Sequence, residues 1–273
     1  MKSAPVYYAI GQVQHNPLLN LSSYLPVIQE RMRKAGYPDF KRAVQMQFDL
    51  SSASAAGDAG QASQPAVQKV ERFLFSNVPS TSGFVLQANV LSFQITEYDT
   101  FEPFLAQLKL GLEILGDAVG GFDFVERLGL RYLDAVTPAR GESLKQYLAT
   151  ELLGLPASLE RRMSGAKFSY SFAEALLVAE GVGQVVSRTI IQNGPLGFPA
   201  DLQPDPLKVP ERFRSLPGEH AVLDTDGSFS ERQGFDAAAV ESRLRQLHGL
   251  IDTAFHATVT DYARKVWNGE DEQ

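Results

Sequence analysis

Cysteine is absent from this chain. Its absence excludes a disulfide framework and any cysteine-based zinc site, while leaving the compartment open. Histidine is scarce: His15, His220, His248 and His256 are the full set. His248 and His256 stand too far apart along one helix to share a metal, for which a spacing of about four is needed. No metal site is expected, and each histidine reads as a surface or core residue. No apolar run approaches the roughly 18 residues of a spanning helix, so no membrane partner is expected. The opening stretch MKSAPVYYAIGQVQHN has neither the apolar core nor the cleavage site of a secretory signal. A cytoplasmic protein is the expectation. Positive charge is in deficit, with a net charge of −7, which argues against a general nucleic-acid coat. Basic clusters exist only at Arg31, Arg33 and Lys34 and at Arg161 and Arg162. Gly-x-Ser-x-Gly and the Walker A motif are also missing, and GVGQVVSR lacks the spacing of a dinucleotide loop. These gaps leave no catalytic constellation and imply no cofactor.

The most unusual stretch that is present is FVERLGLRYLDA, Phe124 to Ala135. Read as a strand, it alternates between two faces. Glu126, Leu128, Leu130 and Tyr132 share one; Val125, Arg127, Gly129, Arg131 and Leu133 share the other. Glycine inside a strand marks a bulge or a close approach by another group. Paired guanidiniums suit carboxylate or phosphate, so Arg127, Gly129, Arg131 and the neighbouring Tyr132 are candidate ligand contacts. The competing reading is structural, with each arginine matched by acid on an adjacent strand.

RLGLRY followed by Leu-Asp resembles the Arg–aliphatic–Gly–aliphatic–Arg–Tyr strand of a sporadically distributed, functionally uncharacterised bacterial family of about 250 residues. EYDTFEPF, AVLDTDGSF and LHGLIDTAFHATVTDYARKVW are similar to other parts of that family's pattern, within residues 82 to 267. Asp134 stands where the family pattern has Asn. The resemblance implies a setting in bacterial small-operon or defence-type systems. It brings no active site with it.

Taken in order, Val6–Gln14 reads as a strand and is followed by a helix that Ser22 or Ser23 caps and Gly36 ends. Arg42–Leu50, Val70–Ser76 and Phe84–Tyr98 supply further strands, with Asn89 in a tight turn. A helix from Phe101 to Ala118 carries the apolar stripe Phe104, Leu105, Leu108, Leu112 and Leu115, and Gly120-Gly121 closes it. After the central strand comes a helix, LKQYLATELL, ended by Gly154 and Pro156. Strands then follow at Phe168–Val178, Gln184–Gln192 and Ala221–Asp226, and a long helix at Ala237–Trp267. Ser51–Ala66 and 194–218 read as long surface loops that respond to partners. The predicted class is α+β: an antiparallel sheet with helices on one face. Its two strand–helix–strands–helix units, 1–120 and 121–273, share one sheet, similar to the saddle of TATA-binding-protein-type domains. Gly11, Gly36 and Pro38 recur at Gly129, Gly154 and Pro156 with a constant offset, which suggests duplication.

Asp224 and Asp226 lie two apart on a strand and present their carboxylates to one side. The later acidic ligand of a calcium loop is missing. In the saddle arrangement their strand lies beside Val125–Leu133, so Arg127 or Arg131 is expected to pair with Asp224 or Asp226. Phe168, Tyr170 and Phe172 share a face that either stacks bases or lies under a helix. The sequence thus favours a non-enzymatic accessory protein acting on a protein partner or a second copy. Its rivals are a small-anion or nucleotide binder at Arg127 and Arg131, and a nucleic-acid saddle.

Overall fold

In a computed structural model, residues 4–49, 66–165, 167–202, 204–214 and 218–270 are described. The expected loop at Ser51–Ala66 therefore lies, except for Ala66, outside the described residues. Strand β1 (Val6–His15) leads into α1 (Leu21–Lys34), then β2 (Asp39–Asp49), β3 (Ala66–Ser76), β4 (Ser82–Gln87), β5 (Val90–Ile95) and α2 (Phe101–Val119). The second half runs β6 (Phe124–Val136), α3 (Leu144–Tyr147), α4 (Thr150–Arg162), β7 (Tyr170–Ala179) and β8 (Gly183–Asn193). It ends with α5 (Glu211–Arg214), β9 (Glu219–Phe229), β10 (Gln233–Gly234), α6 (Ala237–Thr258) and α7 (Asp261–Asn268).

The strands form one antiparallel sheet in the order β2-β3-β4-β5-β1-β6-β9-β8-β7, with β10 pairing β6 off this path. The fold is α+β. In each half the first strand pairs with the last strand of the following meander, β1 with β5 and β6 with β9. The alternation read for β6 is kept over most of its length. Leu128, Leu130 and Tyr132 join the large core under the helices, whereas Leu133 belongs to a smaller cluster on the opposite face. Val125 departs from the pattern and enters the helix-side core, because the register with β1 shifts between Gln14 and His15.

Helix α2 buries Phe104, Leu105, Leu108, Leu112 and Leu115, the stripe expected of it, and Gly120 ends it at φ +86°. Its close seat on the sheet depends on two glycines. A Cβ at Gly11 would lie 2.8 Å from Leu108 Cδ2, and one at Gly111 would lie 2.3 Å from the Phe84 ring.

The expected helix from Ala237 to Trp267 is two helices. Thr258-Val259-Thr260 is a β-branched run that resists helix. Leu148 and Val259 form an isolated antiparallel bridge, and Thr260 accepts from the Ala263 amide to cap α7. Val240, Leu244, Leu247 and Ile251 of α6 are buried in the large core, while Phe255 only adjoins the smaller cluster around Trp267. Leu247→Ala is expected to cost about 2–5 kcal/mol in urea melts through lost burial and a residual cavity, and Phe255→Ala less.

Two other expectations change. Gly154 and Pro156 do not end a helix; they lie inside α4, and the helix read as LKQYLATELL breaks at Leu148-Ala149. The matching glycines also differ in role, since Gly11 faces α2 whereas Gly129 lies under the Arg127 side chain on the other face. The Gly/Pro coincidence is therefore not a structural correspondence. Second, the described part of 194–218 is not a free surface loop. It crosses the face opposite α2 and α6 and, with the short α5 included, packs Leu196, Phe198, Leu202, Val209 and Phe213 against Tyr7, Tyr8, Leu133 and Val222. Lys208 donates its amide to Ser80 O at 2.7 Å and its carbonyl accepts from Thr96 Oγ1 at 2.7 Å, tying the segment to the first half of the sheet. The apolar anchors interspersed among its prolines hold it down.

Candidate site around the central arginines

On the face opposite α2 and α6, β6 lies between β1 and β9, with Gln12 opposite Gly129, Ile10 opposite Arg131, and Arg131 opposite Asp226. The Arg131 guanidinium bonds diagonally rather than straight across. Its Nε donates to Asp224 Oδ1 at 2.6 Å and its Nη2 to Asp224 Oδ2 at 2.7 Å, a bidentate pair. Nη1 donates to Asp201 Oδ2 at 2.5 Å. Asp224 is buried, and the Asp201 side chain is 66% exposed. Burial alone would lower the Arg131 pKa, but the hydrogen bonds to Asp224 and Asp201 outweigh it and raise it. Its hydrogen bond from Arg131 in turn holds the Asp201 carboxyl below its ordinary range.

The pair extends into a ladder of alternating charge. Arg188 of β8 reaches Asp224 Oδ2 at 3.5 Å and donates from Nε to Glu174 Oε2 of β7 at 2.6 Å. The clasp expected between β6 and β9 is thus present for Arg131 and Asp224, and two partners that sequence reasoning missed join it. Asp201 was hidden in the proline-rich segment, and Arg188 in a strand with no distinguishing motif.

Arg127 and Asp226 stand apart from this ladder. Arg127 donates from Nη1 to Gln12 Oε1 at 2.7 Å and has no carboxylate partner among the described residues. Its guanidinium lies across Gly129, where an added Cβ would be 2.8 Å from Nη1. That close approach is the physical use of the strand glycine. Among the described residues Asp226 has no hydrogen-bond partner; burial raises its pKa, and the nearby Arg131 and Arg127 only partly counter this. Gln12, Arg127, Gly129, Asp201, Leu202 and Asp226 border a polar pocket of about 220 Å³.

Tyr132 is not part of this site. It faces the helices, with its hydroxyl 3.4 Å from that of Tyr98. Alternation along β6 already separates it from Arg127 and Arg131.

No family model, curated protein or solved structure matches this chain. Among the described residues no group of three or more His, Asp or Glu is placed to hold a metal ion. No helix of the described residues is long and apolar enough to cross a membrane.

The aromatic face read at Phe168, Tyr170 and Phe172 is split. Phe168 packs against the cluster around Trp267, while Tyr170 and Phe172 stand exposed on the face of β7 away from α6. No helix of the described residues covers them. Leu176 and Val178 continue this row and are 59% and 77% exposed, and Leu177 on the opposite face is 56% exposed.

Proposed function

We propose that this chain is a non-enzymatic binding protein that acts by protein–protein contact through β7, and that its first occupant is a second copy of the chain. The observation that carries the reading is the character of this edge strand. Edge strands are normally blunted by charge, proline or bulges, because their open backbone groups invite another strand. The opposite edge, β2, has Asp39, Lys41 and an ion pair from Arg42 to Glu71 at 2.6 Å. Strand β7, YSFAEALLVA, has no proline, and its one charge, Glu174, is held by Arg188. Elsewhere α4 leaves Leu155 and Leu159 exposed, as is Met163 just past its end. Contiguous apolar surface such as the β7 row marks interaction sites.

The strand is self-complementary. A two-fold axis through Glu174 pairs the copies antiparallel, setting Tyr170 opposite Val178 and Phe172 opposite Leu176 of the other copy. Each Glu174 arrives already neutralised by its own Arg188. The similarity of RLGLRY and the C-terminal stretch to the bacterial family supports placing such an assembly in a small-operon or defence-type system.

Sedimentation of the native chain and of a Leu176→Lys/Val178→Lys variant tests the reading. The native chain is expected to dimerise. The variant should be monomeric with a melting temperature close to native, since exposed substitutions are usually worth within about 0.5 kcal/mol. A native chain that stays monomeric at its highest soluble concentration overturns it. So does salt-resistant binding of a single-stranded oligonucleotide that Phe172→Ala abolishes, which would favour the nucleic-acid saddle instead.

A second reading, a small anion held by Arg127, is favoured by that guanidinium's lack of a carboxylate. Inorganic phosphate or nucleotides should then raise the melting temperature of the native chain but not of Arg127→Ala.

A further inference from the structure

On the helix side of the sheet a pocket of about 250 Å³ opens between the end of β6, the start of α2 and the middle of α6. Asp134 lies in its wall, next but one to Tyr132 along β6 and paired in register with Val6 of β1. The Asp134 residue is 3% exposed, no hydrogen bond to its carboxyl is found among the described residues, and it lines the pocket, its oxygens not being among the wholly sealed unpartnered atoms. A carboxyl buried without a partner is rare in folded chains and calls for an explanation. The rest of the wall is acidic and aromatic. Asp99 and Asp252 stand at its rim, Tyr98 and Tyr132 meet edge to face at 5.2 Å, and Phe101 stacks on His248 at 3.9 Å. Among the described residues no lysine or arginine borders it.

We propose that this pocket binds an organic cation, an ammonium or guanidinium group, with Asp134 as its counter-charge and the tyrosine rings as its walls. Carboxylates set among aromatic faces are the environment in which a desolvated cation is held best. The neighbouring groups do not supply that charge themselves. Burial lowers the His248 pKa, with Asp252 and Glu102 only partly opposing, so its ring is neutral near pH 7. Its Nδ1 is buried and has no hydrogen-bond partner among the described residues. Burial raises the pKa of both tyrosines, which remain phenols. The empty Asp134 carboxyl is itself pushed up to about 8 by burial. A cation beside it restores the charged form, so binding near neutrality releases a proton.

This site is independent of the β7 contact, because it lies on the opposite face and uses none of its exposed row.

Calorimetric titration of the full chain tests the proposal with 1,4-diaminobutane, with its uncharged counterpart 1,4-butanediol, and with an N-acetyl-lysine amide. The third probe separates a free amine from a side chain of another protein. The diamine or the lysine amide should bind saturably and the diol should not. Binding should be tighter at pH 8.5 than at pH 6, with proton release measured in two buffers of different ionisation enthalpy. Asp134→Asn should weaken the cation at least about tenfold while still melting cooperatively and no lower than the native chain. Asp252→Asn, at the exposed rim, gives a second variant whose folding is not at stake, and it should weaken binding by a smaller factor. Equal binding of diol and diamine, native-like affinity in Asp134→Asn, or no saturable binding of either amine overturns the assignment.

Discussion

Replacing Arg131 by alanine is expected to destabilise the protein by about 3–5 kcal/mol, the loss typical when one partner of a buried ion pair is removed. The cause is what remains. Asp224 is 1% exposed and would keep only the 3.5 Å contact from Arg188 in place of a bidentate guanidinium. Asp201→Ala removes the other carboxylate on Arg131, but that side chain is 66% exposed, so its loss should cost no more than about 1 kcal/mol. Asp226→Ala should also be mild, because Arg131 turns to Asp224 and leaves Asp226 without a direct bond. The double variant Arg131→Ala/Asp224→Ala should lose less than the sum of the single changes, since it strands neither charge. Urea melts of the native protein, Arg131→Ala, Asp224→Ala and the double variant complete the cycle. Additive losses, or an Asp201→Ala cost equal to that of Arg131→Ala, would show that the buried pair is not what holds β6 to β9.

The alternation along Phe124–Ala135 was enough to place the arginines on one face and Tyr132 on the other, because period two is fixed by strand geometry. It could not choose between Asp224 and Asp226. Both share a face two residues apart, and only the offset of the Arg131 side chain along the sheet decides. Asp201 was illegible for a different reason. Prolines mark a segment as irregular without saying what it lies on, and here Leu196, Phe198 and Phe213 pin it to the face opposite α2 and α6. The exposure of Tyr170, Phe172, Leu176 and Val178 was equally hidden. An apolar row in a strand reads as core, and whether a strand sits at the edge depends on sheet order, which no local pattern carries. The helix break at Val259 was signalled by three β-branched residues in a row, yet the apolar stripe across it suggested continuity.

Asp134→Asn is expected to stabilise the protein at alkaline pH and to leave it unchanged in acid. The carboxyl has an ordinary value of 3.8 and is pushed up to about 8 in the folded chain by burial. Between those limits the folded state holds a proton that the unfolded state has lost. Stability from this group is therefore complete below about pH 4, falls as pH rises, and is gone above about pH 8. Asparagine keeps the shape and has no charge to desolvate, so the variant lacks that decline. A shift of this size corresponds to roughly 1.4 kcal/mol per unit, and water entry into the pocket trims it. A gain of about 2–4 kcal/mol at pH 9 is the expectation. The comparison should be made as a difference between the two proteins at each pH. His15, His220 and His248 have pKa values lowered first by burial and lose stability in the opposite direction, as pH falls. Their contributions largely cancel in the difference, except for any coupling of His248, which shares the pocket. A saturating diamine should reduce the native protein's deficit at pH 9, because the cation replaces the missing proton as partner of Asp134. A difference curve that is flat from pH 4 to pH 9 would mean that the carboxyl is already satisfied, and the cation pocket would lose its central residue.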